Sequence, residues 1–223
     1  MPGTIVVNSA GERFVDEGRS YNIVGRAMAT FDPTTASYPN LPAWLIFGDE
    51  MLHKYGSVAF GSLTPDKRWT TSADSLEELA TKVGIDPVGL AATVKRFDED
   101  ARDGHDSQFG RGDSFYDQFQ GDREQLGSVT ASLAPIGSPR YYAVRLLLGS
   151  LGTKGGPRTD SNARVLDTRQ RPISGLYAAG NAASSVMRGA YAGGGSTIGP
   201  ALTFGYLAGE HAAGSSRTTR DES

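Results

Sequence analysis

Between Gly175 and Ala213 the chain reads GLYAAGNAASSVMRGAYAGGGSTIGPALTFGYLAGEHAA, and few folds accept so many small residues ahead of a helical apolar pattern. Leu176 to Ala179 is a short apolar run stopped by Gly180-Asn181, which predicts a buried strand ending in a tight turn. Ala182 to Gly195 follows as a loop of small residues around Tyr191. From Ser196 onward, Ile198, Leu202, Phe204, Tyr206 and Leu207 predict a helix. Ser196 or Thr197 can cap it, and Pro200 is tolerable because it falls in the first turn. A strand, a nearly bare loop and an uncovered helix start suit a flat, electron-rich ligand. Glycine lets the backbone approach closely, and the helix dipole favours negative charge at its mouth. The same residues are also compatible with a glycine-rich turn before an ordinary core helix.

Composition narrows the function classes. At 223 residues the chain makes one large domain or two small ones. A net charge of -3 leaves no basic surplus for nucleic acid or an anionic membrane surface. With no cysteine there is no disulfide framework and no thiol catalyst, which suits the cytoplasm. His53, His105 and His211 are too far apart in sequence to read as a metal site. No apolar run reaches the roughly 18 to 20 residues of a spanning helix. Glycine is the outlier at 29 residues, and its density after Gly149 marks a domain boundary.

Upstream of that boundary the patterns are mixed. Thr4 to Val7 predicts a strand, Asn8 to Gly11 its turn, and Arg13-Phe14-Val15 the partner strand. Pro42 to Phe47 predicts a strand apolar enough to be buried on both sides, with Trp44 in the core, and Leu52 to Gly56 a helical turn. Ser75 with Glu78 makes a capping box for a helix ending at Gly84. Asp86 caps a second helix, with Pro87 at its first position and Leu90, Val94, Phe97 and Ala101 on one stripe. Asp103 to Gly127 has no period and predicts a long loop. Its Gly110-Arg111-Gly112 is not a dinucleotide fingerprint, since Phe115 stands at the third glycine position. Tyr141 to Leu148 predicts a strand, and beyond the boundary the polar tail after Gly214 predicts disorder.

GLYAAGN, a loop, a Gly-rich turn and TIGPALTFGYLAG together resemble the C-terminal flavin segment of the fumarate-reductase-like flavoproteins. Within them, Tyr191-Ala192-Gly193-Gly194-Gly195 followed by Ser196-Thr197-Ile198-Gly199-Pro200 is most similar to the 3-ketosteroid 1-dehydrogenases. IVVNSAGERFVDEGRSYNIVGRAM resembles the opening of that family's substrate domain, and Gly152-Thr153-Lys154-Gly155-Gly156 the return to its flavin domain. The resemblance implies a mixed α+β and α/β chain. A substrate-binding (catalytic) domain would span residues 1–152, the C-terminal part of an FAD-binding domain 153–214, and a disordered tail 215–223. It implies FAD as cofactor, held by Gly152, Thr153, Gly155, Gly156, Gly180, Asn181, Ser196, Thr197 and Ile198. It also implies a 3-ketosteroid or similar cyclic ketone as substrate. Tyr191 and the Gly195 N–H would bind the C3 carbonyl, and Tyr21 would remove the C2 proton. Arg188-Gly189 and Ala192 depart from the usual family pattern without removing a catalytic group. Fumarate-type chemistry and 4,5-desaturation are disfavoured by the tyrosine and glycines at Tyr191 to Gly195.

The family's G-x-G-x-x-G turn, which holds the ADP half of FAD, does not occur in these 223 residues. The reading is therefore either an enzyme portion that works with a nucleotide-binding domain or second chain, or a non-catalytic remnant. A polypeptide of these residues is expected to hold FAD weakly, because the pyrophosphate lacks its glycine turn and helix start. The flavin absorbance of the purified polypeptide checks this, and one bound FAD per chain refutes it.

Overall fold

A computed structural model describes residues 1–59, 69–137 and 139–218, the side chains of 57–59 and 215–218 apart. The chain divides into two compact units, Met1–Leu148 and Gly149–Ser223. The first unit is built on four antiparallel strands, β1 (Thr4–Val7), β2 (Ala43–Gly48), β3 (Thr70–Ala73) and β4 (Tyr141–Leu146), in the order β1-β2-β4-β3. Register pairs Ile5 with Ile46 and Ile46 with Ala143. Since side chains alternate along a strand, these residues share one face. Leu79, Ala80, Leu90, Val94 and Phe97, from helices α3 (Leu76–Val83) and α4 (Pro87–Asp103), bury it. The opposite face carries Val6 and Ala43 under Met28 and Val24 of helix α1 (Tyr21–Met28). That is why β2 is apolar on both sides. Trp44 is half-buried against the larger cluster.

The helix caps follow the sequence. Ser75 Oγ accepts from the Glu78 N–H at 3.1 Å, and Gly84 closes α3 in the left-handed region at φ 78°. The Glu78 carboxylate accepts from the Asp74 N–H, one residue before the cap, rather than from Ser75. The Asp86 carboxylate accepts from Val88 and Gly89 at the start of α4. Helix α2 (Asp49–Ala59) is longer than the single turn expected at Leu52 to Gly56.

Two expectations fail in this unit for one reason. Arg13-Phe14-Val15 is not a strand, and only an isolated bridge joins Arg13 to Val7. Asp103 to Gly127 is not a structureless loop: helix α5 (Phe115–Gln120) lies within it, capped by Ser114, and a 3₁₀ turn spans Arg123–Gln125. In both stretches the backbone is arranged around buried charge instead of a period of apolar residues. Arg13 donates to both Asp106 oxygens at 2.8 Å and to Glu17 at 2.8 and 2.9 Å. Arg111, fully buried, donates to the Thr4 carbonyl at 2.6 Å and to Glu17 at 3.1 Å. Phe97 and Phe109 lie 4.9 and 5.0 Å from the Arg13 guanidinium, close enough for cation–π attraction.

In the second unit, β5 (Arg164–Leu166) and β6 (Pro172–Tyr177) form an antiparallel pair, whose turn is closed by the Asp167 carboxylate accepting from the Arg169 and Arg171 N–H groups. Helix α6 (Ile198–Thr218) runs past Gly214, where a disordered tail was expected to begin; residues 219–223 lie outside the described residues. The expected burial of the strand before Gly180 is not found. Leu176 is 46 % exposed, and Ile198, Leu202 and Tyr206, spaced by four on α6, are 63, 68 and 70 % exposed. Two strands and one long helix, the regular elements described here, do not offer enough apolar surface to cover both a sheet and a helix.

Burial opposes ionisation of Glu17 and Asp106, but hydrogen bonds and attraction from Arg13 outweigh it and hold both below their ordinary values of 4.5 and 3.8. Carboxyls with lowered folded-state values contribute stability above the unfolded value and lose it as pH falls through the folded one. Asp16 and Asp98 act the other way, because burial raises them. Stability of the first unit is therefore expected to fall steeply once the pH drops below about 4.5. Arg111→Met should cost about 3–5 kcal/mol by leaving Glu17 under-paired, and should move the acid transition to higher pH. Urea unfolding followed by tryptophan fluorescence across pH 3 to 7 checks both. An unchanged acid limb in the variant would show the cluster to be inert.

Candidate functional site

The second unit holds a cleft of about 290 Å³. The 3₁₀ turn Gly180–Ala182, two of whose residues line it, is braced by the segment 155–157: the Gly155 N–H donates to the Asn181 carbonyl at 3.1 Å, and the Ser184 N–H to the Pro157 carbonyl at 2.9 Å. The two backbones approach so closely that a Cβ at Gly156 would stand 2.0 Å from the Ala182 oxygen. Only glycine fits there. Gly180 has φ 61° and seats the turn on Ala201 of α6.

Ser196, Thr197 and Pro200 bring the start of α6 to the cleft. Ser196 does not cap the helix; its Oγ is buried and has no hydrogen-bond partner. Lys154 and Arg158 supply positive charge to the lining, and Lys154 Nζ donates to the Ala190 carbonyl at 2.9 Å, pinning the loop before Tyr191. Asp160 balances part of that charge. Burial works against its ionisation, yet hydrogen bonds from the Arg164 side chain and amide hold it below its ordinary value. A bare backbone, an orphaned hydroxyl, two cations and a helix start can hold a flat group that carries negative charge.

The residues expected from sequence divide into three groups. Gly180, Asn181, Ser196 and Thr197 line the cleft; Gly155 and Gly156 do not line it, but pack against the turn Gly180–Ala182 beside it. Gly152, Thr153 and Ile198 are exposed and do not line it; a Cβ at Gly152 would meet open space. Tyr191 is half-buried, just after the turn closed by the Ala190 N–H and the Met187 carbonyl, and Gly195 has φ 90° with open space beyond its Cα. Tyr21 belongs to the first unit, where it is the first residue of α1 and 58 % exposed. Sequence reasoning missed Lys154 and Arg158. Their signal was available as two cations flanking Gly155-Gly156-Pro157. No group of histidine, aspartate and glutamate side chains suits a metal ion, and no helix is long and apolar enough to cross a membrane, among the described residues.

Gly156→Ala is expected to push the segment 155–157 off the Gly180–Ala182 turn and lower the stability of the second unit by more than about 2 kcal/mol, as overpacking against backbone does. Gly152→Ala, with nothing to meet, should stay within about 0.5 kcal/mol of wild type. Amide hydrogen exchange over residues 155–184 reads the difference, and equal protection in both variants would count against the close approach.

Residues 1–198 match the family described as FAD binding domain. A 3-oxosteroid 1-dehydrogenase of Mycobacterium tuberculosis is 42% identical over 95% of this chain and 39% of its own length. A 4-oxocyclohexanecarboxylate 2-dehydrogenase of Sinomonas cyclohexanicum is 39% identical over 96% of this chain and 37% of its own. Among solved structures, the 3-ketosteroid Δ1-dehydrogenase of Sterolibacterium denitrificans, in complex with 1,4-androstadiene-3,17-dione, superposes with a TM-score of 0.84 at 42% identity, covering 96% of this chain and 39% of that one. The chain thus spans about two fifths of the length of the relatives it matches. With its mixed α/β fold and a cleft of bare backbone beside a helix start, the chain belongs to the FAD binding domain family of flavoproteins.

Proposed function

We propose that this chain carries the substrate-facing residues of an FAD-dependent dehydrogenase that introduces the 1,2 double bond into a 3-ketosteroid or similar cyclic ketone. In this reading the first unit serves the substrate and the second the flavin. The observation that carries it is the loop around Tyr191, where a phenol stands among glycines and Gly195 leaves its backbone open at φ 90°.

The residues present fit FAD. The buried Ser196 Oγ lacks a partner, Gly195 leaves room for a planar group, and Lys154 and Arg158 favour negative charge. Gly155, Gly156, Gly180, Asn181, Ser196 and Thr197 would hold it, with Gly152, Thr153 and Ile198 at the margin. Bound FAD supplies the hydride acceptor.

The chain's own groups then have distinct tasks. The Tyr191 hydroxyl and the Gly195 N–H donate to the ketone oxygen, and their contribution grows as enolate charge develops on it. Tyr21 takes the proton from the carbon beside the carbonyl. A phenol ionises near pH 10, so its anion needs support, and the first turn of α1 provides the positive end of a helix dipole. A second reading, a portion that acts only with further chain in cis or in trans, is favoured by the exposed Ile198, Leu202 and Tyr206 on α6.

Tyr191→Phe in the FAD-loaded enzyme is expected to lower kcat about 100- to 1,000-fold for 1,2-dehydrogenation of a 3-ketosteroid with an artificial electron acceptor. Tyr21→Phe should abolish exchange of the C2 proton with solvent deuterium as well as turnover, with steroid binding nearly intact. Full activity in Tyr21→Phe would mean that the base lies elsewhere.

A further inference from the structure

One residue of the Tyr191 loop has no part in the chemistry above. Arg188 is the only charged side chain between Arg171 and Glu210, so it stands alone in an otherwise neutral stretch that includes the start of α6. It is exposed, and among the described residues its guanidinium has no hydrogen-bond or ion-pair partner. Its backbone is held at φ 51°, in the left-handed region that a residue with a Cβ enters at a cost. Two overlapping turns impose that conformation. The Arg188 N–H donates to the Ser185 carbonyl at 2.9 Å, and the Ala190 N–H to the Met187 carbonyl at 3.0 Å. Lys154 fixes the second turn through the Ala190 carbonyl. Arg188 is therefore carried on a braced loop, three residues from Tyr191, where glycine would be the less strained choice. Strain held at one position beside a site points to a task for that side chain.

We propose that Arg188 is a specificity-determining residue that pairs with a carboxylate on the substrate, so that the preferred substrate is a cyclic ketone bearing an acid group rather than a wholly neutral steroid. The chemistry is direct: a guanidinium presents a planar fork of donors that matches a carboxylate with two parallel hydrogen bonds. With Tyr191 on the ketone oxygen and Arg188 on the carboxylate, the ring is held at two points, which fixes which of its carbons is deprotonated. The assignment rests on the reading of Tyr191 as the carbonyl donor. Its rival is that Arg188 serves the phosphates of FAD.

The test uses FAD-loaded protein and two probes, 4-oxocyclohexanecarboxylate and its methyl ester, with equilibrium binding followed by perturbation of the flavin absorbance. Wild type is expected to bind the acid at least about tenfold more tightly than the ester, the range of a hydrogen bond to a charged group. Arg188→Ala should erase that preference while leaving the ester and FAD affinities unchanged, and Arg188→Lys should restore part of it. Raising salt should weaken the acid only. An acid preference that survives Arg188→Ala overturns the assignment, as does a loss of FAD affinity in that variant or a wild type that binds neither probe. Tyr191→Phe separates the two readings. If it leaves both probes unaffected, the carbonyl role of Tyr191 fails; if it weakens both while Arg188→Ala changes neither, only the role of Arg188 fails.

Discussion

Two arginines placed in the core of the first unit dictate much of what surrounds them. Arg13 and Arg111 are buried with Glu17 and Asp106 as their counter-ions, and each charge has lost its water. Such a cluster returns little net stability against an apolar substitute, but breaking it strands a charge. Its value here is geometric. Glu17 also accepts from the Val6 N–H at 3.0 Å, and Asp106 from the Arg111 N–H, so β1, the turn after it and the segment beyond α4 can meet in only one register. The Asp16 carboxylate accepts from the Gly18 N–H at 2.8 Å directly after this knot. The chain therefore enters α1 from a fixed point, and Tyr21 is its first helical residue.

This also explains what the sequence concealed. α3 and α4 were legible because each repeats apolar residues at the helical period, with Ser75, Asp86 and Gly84 marking ends, and β2 and β4 because each is a short, nearly continuous apolar run. Arg111 carries no such mark. Between two glycines in a charged stretch it reads as solvated loop, since only the folded chain brings Thr4 and Glu17 to it. A buried charge is recognised through its partners, and Arg13 and Asp106 are 93 positions apart. Asp117 poses the same difficulty: it is fully buried, yet it lies in a stretch whose composition predicts exposure.

In the second unit the balance is reversed. The ordered string around Tyr191 made the flavin relationship legible, because a long motif constrains more than composition does. Packing was the weaker inference. An apolar run in sequence says that burial is favourable without saying what supplies it, and Leu176 and Leu202 remain open on the described elements. Lys154 shows the converse. Its role as a brace on the Ala190 carbonyl depends on a contact across 36 positions, which no local pattern encodes.

The glycines of this unit separate into two kinds, and the difference bears on function. Gly156 and Gly180 are explained inside the chain, since a side chain at either would strike the backbone or side chain of a neighbour. Gly194 and Gly195 have no such reason. A Cβ at either would meet open space, and Gly195 alone has a backbone angle that disfavours one. Open space beside a run of glycines costs conformational entropy without any packing in return. Among the described residues that space is unfilled, and it lies beside a half-buried tyrosine and the start of α6. In the function proposed above, the loop that supplies no side chains at Gly193 to Gly195 supplies a guanidinium at Arg188 and a phenol at Tyr191, and the two together select the ligand.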